Sequence, residues 1–145
     1  MLAPDLRRKT LSPSADHSCV AGRRTGALII NADDWGRNRA TSDHILDCFV
    51  QGAISSVSAM VFMEDSERAA TTAQEKGIDA GLHLNFTTPF SAQRCTITLR
   101  EHQERTSKYL RRSRFAKILF NPALARSFEY LTMIQLEEFE RLYGV

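Results

Sequence analysis

At 145 residues the chain has the length of one domain and enough of it to bury a core. Its hydrophobic fraction of 43% and charged fraction of 25% are those of an ordinary globular protein, and a net charge of +2 is too small to imply nucleic acid or a membrane surface as partner. The three cysteines, Cys19, Cys48 and Cys95, are far apart and odd in number, which argues against a disulfide framework or a zinc knuckle and for a reducing compartment.

Residues 1–26 show no sustained period of 2 or 3.6 and carry Pro4, Pro13 and scattered charge. They read as a disordered lead-in, and no metal role is expected of His17 or Cys19. No apolar run follows Arg7, Arg8 and Lys9, so no secretory signal is expected. No run approaches the ~20 apolar residues of a membrane span. A cytoplasmic location follows by default.

The first strand is expected over Ala27–Asn31. The run Leu28-Ile29-Ile30 is apolar and ends in Asp33, Asp34, Trp35 and Gly36. Two adjacent carboxylates after a buried strand are unusual, because buried charge is costly unless paired or bound to a cation. They suit a site at a strand's carboxyl end, where α/β folds place their chemistry. A polar turn with one Asp capping the next helix is the alternative.

A helix is expected from Thr41 to Gln51, capped by Thr41 or Ser42, with Ile45, Leu46, Phe49 and Val50 on one face. Gly52 stops it. The second strand spans Ile54–Phe62. A second helix runs from Asp65 to about Lys76, packing through Ala69, Ala70 and Ala73 and ending at Gly77. The third strand is Asp79–Asn85. Alternation places Leu82 and Leu84 on one face and Gly81, His83 and Asn85 on the other. His83 reads either as a core histidine bonded to a carbonyl or as a metal ligand.

Strand, helix, strand, helix, strand with short links is the signature of parallel βαβ units, so the fold class is α/β. Crossovers return each strand to the same direction, so Asp33, Asp34 and His83 open on one edge of the sheet.

Beyond Phe86, Thr96–Leu99 reads as a short strand or an extended link. Residues 100–126 carry eight Lys/Arg against two acids and are helical in part. The cluster Arg111-Arg112-Ser113-Arg114 could bind an anion, but a solvated helix face is the favoured reading, and nucleic acid is not an expected partner. Asn121-Pro122 starts a last helix to about Tyr143 with a stripe of Leu124, Phe128, Leu131, Ile134, Phe139 and Leu142.

The segments Ile29–Gly36, Gly52–Val61 and Gly81–Asn85, in this order and spacing, resemble the YdjC-like family of carbohydrate deacetylases. The resemblance implies the first half of a distorted (β/α) barrel and hydrolysis of an N-acetyl group on an amino sugar or oligosaccharide with the help of a divalent metal ion. By matching position, Asp33 corresponds to the general base, and Asp34 and His83 to metal ligands. Magnesium is the expected ion, with zinc the alternative. The chain departs from the family in having Trp35 for the commoner Phe and Arg37-Asn38-Arg39-Ala40 where Ser-Pro-Gly is usual. Family members are also longer and supply a further ligand from a later histidine-rich segment. Residues 27–145 are thus expected to be a partial domain lacking its C-terminal half. Its open sheet edge would be free to pair with a second copy or a complementing chain. The competing expectation is a catalytically inactive remnant that acts as a binding domain.

Overall fold

Three strands and two helices alternate at the start of the fold. β1 (Asn31–Trp35), α1 (Arg39–Val50), β2 (Ser56–Ala59), α2 (Ser66–Lys76) and β3 (Asp79–Leu82) follow one another. The sheet has the order β1-β2-β3, and both pairs are parallel. These are the βαβ units that the alternating pattern implies, and the fold is α/β. The computed structural model describes residues 28–144 apart from positions 113 and 120. The expected lead-in, with His17 and Cys19, lies outside the described residues.

The sheet has two unlike faces because its residues alternate. Asn31 and Asp33 on β1, Ser56 and Ser58 on β2, and Asp79 and Gly81 on β3 share one face. The register aligns Asn31 with Ser56 and Ser56 with Asp79. Every one of these side chains is small or polar. The opposite face, with Ala32, Val57, Ala59, Ala80 and Leu82, belongs to the core.

The core is closed by α3 (Ile97–Arg112) and α4 (Ala125–Tyr143). α4 packs on both α2 and α3. Ala69, Ala70 and Ala73 of α2 are buried as their spacing implies. Their small side chains leave room for Trp35, which is 1% exposed and donates its indole N–H to the Ala69 carbonyl at 3.2 Å. Burying ~200 Å² of indole contributes about 5 kcal/mol at ~25 cal/mol per Å². Leu131, Phe139 and Leu142 supply the buried stripe of α4. At its far end Arg141 reaches Glu67 of α2 at 2.7 Å and Glu138 at 2.8 Å.

Several boundaries move. Strand pairing begins at Asn31, later than the expected Ala27–Asn31; Leu28 and Ile29 are 80% and 77% exposed, and position 27 is not described. The ladder pairs Asn31 with Ser56 and Ala32 with Val57, and Ser56 and Ser58 both bond to the Asn31 side chain. β2 is confined to Ser56–Ala59, since Phe62 turns out of the strand with a left-handed φ of 58°. β3 ends at Leu82, so the alternation assumed through Asn85 fails: Leu84 is 41% exposed and Asn85 is 3% exposed. Asn85 is buried with its N–H and both side-chain amide atoms engaged. Its N–H donates to Gln135 Oε1 at 2.8 Å, and its Oδ1 accepts the N–H groups of Thr87 and Thr88.

Helix starts show similar competition. Asn38, with extended φ and ψ, caps α1 by accepting the Thr41 N–H at 2.9 Å, in place of Thr41 or Ser42. Ser42 is buried and bonds back to the Gly36 N–H and the Asn38 carbonyl. Val50 lies 69% exposed, outside the face shared by Ile45, Leu46 and Phe49. Residues 97–99 are helical: Thr96 accepts the Leu99 N–H at 3.2 Å and thereby starts α3. Asn121 and Pro122 do begin a helical segment, but its first turn is 3-10 over Pro122–Leu124. Arg111 and Arg112 are exposed on α3, the solvated reading of that cluster.

Candidate active site at the carboxyl edge of the sheet

The site starts from an irregularity in β1. Asn31 pairs with Ser56 and Ala32 with Val57, but the next pair is Trp35 with Ala59. One extra residue is therefore inserted into β1, a β-bulge. Asp34 takes it up with a left-handed φ of 68°, a conformation that Asp tolerates better than most side chains.

In a regular strand Asp33 and Asp34 would face opposite sides of the sheet. The bulge cancels that alternation, and both carboxylates reach the same imidazole. His83 Nδ1 lies 4.0 Å from Asp33 Oδ1, and His83 Nε2 lies 3.8 Å from Asp34 Oδ1. Neither separation is a direct hydrogen bond. The His83 N–H donates to the Ala59 carbonyl at 2.8 Å, which extends the β2–β3 ladder by one step and fixes the residue just beyond β3. All three residues singled out from the sequence thus converge at the carboxyl edge of the sheet.

Their surroundings differ. The Asp33 side chain is 69% exposed, against 34% for Asp34 and 29% for His83. Arg37 holds the other oxygen of Asp34, Oδ2, at 3.1 Å. Asn31 donates from Nδ2 to Asp33 Oδ1 at 3.0 Å and to Ser58 Oγ at 2.7 Å, and Ser56 Oγ donates to Asn31 Oδ1 at 3.0 Å. Behind the site, Asp65 at the start of α2 meets Arg68 at 2.7 Å. Burial opposes ionisation of Asp65, but the hydrogen bonds from Arg68 and Ser42 and the nearby positive charge outweigh it and hold the carboxyl below its ordinary value.

The donor set suits a cation in part. Two ligands with bonds of ~2.1 Å on a tetrahedral ion stand roughly 3.4 Å apart, a few tenths of an ångström less than the Asp34–His83 separation. That pair fits two positions on a divalent ion. Among the described residues no group of three or more His, Cys, Asp or Glu side chains could hold a metal ion. His44 is exposed on α1. His102 is engaged elsewhere, with Ser127 Oγ 3.0 Å from its Nδ1 and Tyr130 against its ring.

Reading the sequence missed Asn31, Ser56, Ser58, Arg37 and Gln135. The first three carry a faint signal: Asn31-x-Asp33 and Ser56-x-Ser58 put small polar groups on one face of facing strands. Gln135 signals itself as an amide inside the apolar stripe of α4, where it is fully buried.

Parallel βαβ units with two carboxylates and an imidazole gathered at the carboxyl edge of the sheet define a class of α/β protein whose chemistry sits at that edge. A family described as YdjC-like protein matches residues 27–145, and the chain belongs to that family. A carbohydrate deacetylase of Clostridium beijerinckii is 32% identical over 83 residues, covering 57% of this chain and 34% of that protein. A carbohydrate deacetylase of Homo sapiens is 37% identical over 59 residues, 41% of this chain and 18% of the relative. A chitooligosaccharide deacetylase of Proteus mirabilis is 38% identical over 61 residues, 41% of this chain and 24% of the relative. The matched stretches thus span about a third or less of these curated relatives. No solved structure matches the chain.

Proposed function

We propose that this chain carries the reacting edge of a metal-dependent hydrolase that removes the N-acetyl group from an amino sugar or oligosaccharide. The observation that carries the proposal is the convergence of Asp33 and Asp34 on His83 within 4.0 Å, in a family whose relatives are named deacetylases. Asp34 and His83 would hold the cation, magnesium by our reading and zinc as the alternative. A divalent ion bound there would lower the pKa of a water molecule and polarise the acetyl carbonyl. Asp33, the most exposed of the three, takes a proton from the attacking water and returns it to the departing amine. Arg37 keeps Asp34 turned so that its Oδ1 faces His83. Further ligands would come from outside the described residues, or from a chain paired along the open sheet edge. Among the described residues no helix is long and apolar enough to cross a membrane. Cys48 and Cys95 are free thiols, as in a reducing compartment, and on that ground we place the reaction in the cytoplasm.

The test is release of primary amine from N-acetylated chitooligosaccharides by the purified chain with Mg²⁺ or Zn²⁺. Asp33→Asn should abolish release and keep metal binding, while His83→Ala should weaken metal binding. A second reading, a binding domain without catalysis, is favoured by the small ligand set among the described residues. Saturable sugar binding with no amine released would select it.

A further inference from the structure

The polar face of the sheet holds a chain of hydrogen bonds that the three reacting residues do not account for. Asp33 ionised can only accept, so the Asn31 group that faces its Oδ1 at 3.0 Å must be the amide nitrogen. That fixes which way the amide points. Its oxygen then faces Ser56, whose hydroxyl donates to it at 3.0 Å. The second amide hydrogen goes to Ser58 Oγ at 2.7 Å. Asn31 is thus held at both ends by β2, in register with Ser56, while presenting a donor to Asp33. Asp33 itself is 69% exposed on its side chain, a place where a free carboxylate would sample several rotamers.

We infer that Asn31 is a positioning residue that locks the rotamer of Asp33 and assigns the proton-accepting role to Asp33 Oδ2. Oδ1 is occupied by the Asn31 amide and turned toward His83. Oδ2 has no hydrogen-bond partner among the described residues and is the atom left to meet a water. Ser56 and Ser58 act through Asn31: one orients the amide oxygen and the other shares its nitrogen. The inference rests on the proposed role of Asp33 as base, but the geometry it claims exists in the chain whether or not turnover follows.

The experiment is therefore split. The first part measures the Hα–Hβ couplings of Asp33 by NMR in the full chain. The wild type should show one χ1 rotamer. Asn31→Ala should show averaged couplings, and so should Asn31→Asp, which keeps the shape and removes the donor. Ser58→Ala should lie between. The second part measures amine release and Mn²⁺ affinity in the same variants. Asn31→Ala should lower kcat about 10- to 100-fold, as expected for a misplaced catalytic group. KM and Mn²⁺ affinity should stay within about twofold of wild type, a split that mere unfolding would not produce. Couplings that are averaged in the wild type, or unchanged in Asn31→Ala, overturn the inference. Absence of turnover in the wild type overturns the proposed deacetylation instead, and the couplings alone then decide the role of Asn31.

Discussion

Replacing Gly36 with Ala tests the packing that holds the site to the rest of the fold. Gly36 has φ +86°, and a Cβ added there would stand 3.0 Å from the Met60 carbonyl oxygen and 3.3 Å from Ser66 Cα. Left-handed φ costs an L residue about 1–2 kcal/mol. Both close atoms are backbone and cannot rotate away, so β2 or the start of α2 must shift, at about 1–3 kcal/mol. The sum, roughly 3 kcal/mol, is a large share of the ~5–15 kcal/mol that stabilises an average domain. At ~3 °C per kcal/mol for this size it lowers Tm by about 10 °C. Gly52→Ala is the control, because Gly52 has φ +72° and nothing within 4 Å of its added Cβ. It should lose only the conformational part, roughly 3–6 °C. The assay is thermal unfolding of the three proteins by circular dichroism. If Gly36→Ala loses no more than Gly52→Ala, the close approach of β1 to Met60 and Ser66 is wrong.

Gln135→Leu should cost about 1–3 kcal/mol in urea unfolding, since it strips the partner from the Asn85 N–H in a buried place. A cost under ~0.5 kcal/mol would mean that this amide is not the anchor of the loop after His83. Tyr143→Phe should be neutral or stabilising by up to about 1 kcal/mol. The phenol is close to the Trp35 indole, whose N–H is committed to Ala69, and among the described residues the buried Tyr143 hydroxyl has no hydrogen-bond partner; clear destabilisation would reveal one. Asp65 has a carboxyl held below its ordinary value, so its contribution is full above the unfolded value of ~3.9 and is lost as pH falls through the folded one. The urea midpoints of wild type and Asp65→Asn should therefore differ at pH 7, and the difference should shrink steadily as pH falls below about 4. A gap that stays constant as pH falls from 7 to well below about 4 would assign the effect to something other than the Arg68 pair.

Much of the architecture could be read directly from local pattern. The alanines of α2, the glycines that end helices and the Asn121-Pro122 start act within a few residues, and each lies where its chemistry places it. The edges of the strands did not follow, because strand ends are set by the partner strand. Nothing in Leu28-Ile29-Ile30 says that the ladder begins only at Asn31; its partner there is Ser56, 25 residues away. Asn85 does not sit on a strand face, because its burial depends on Gln135, 50 residues on. The convergence of Asp33, Asp34 and His83 followed from topology, since parallel strands bring their ends to one edge. The bulge that turns both carboxylates to one side had no local signature beyond an Asp in a place that tolerates positive φ.

That bulge also bears on how such a domain drifts. A left-handed Asp34 is held against its own backbone preference, and glycine there would relieve the strain. A lineage selected for stability alone would replace Asp34 with glycine or delete one residue and restore an even ladder. Either step would keep the sheet and discard one of the two carboxylates that face His83. The loss of the chemistry proposed for this edge would thus run downhill in folding free energy. Copies released from selection for activity should be found first with this position changed.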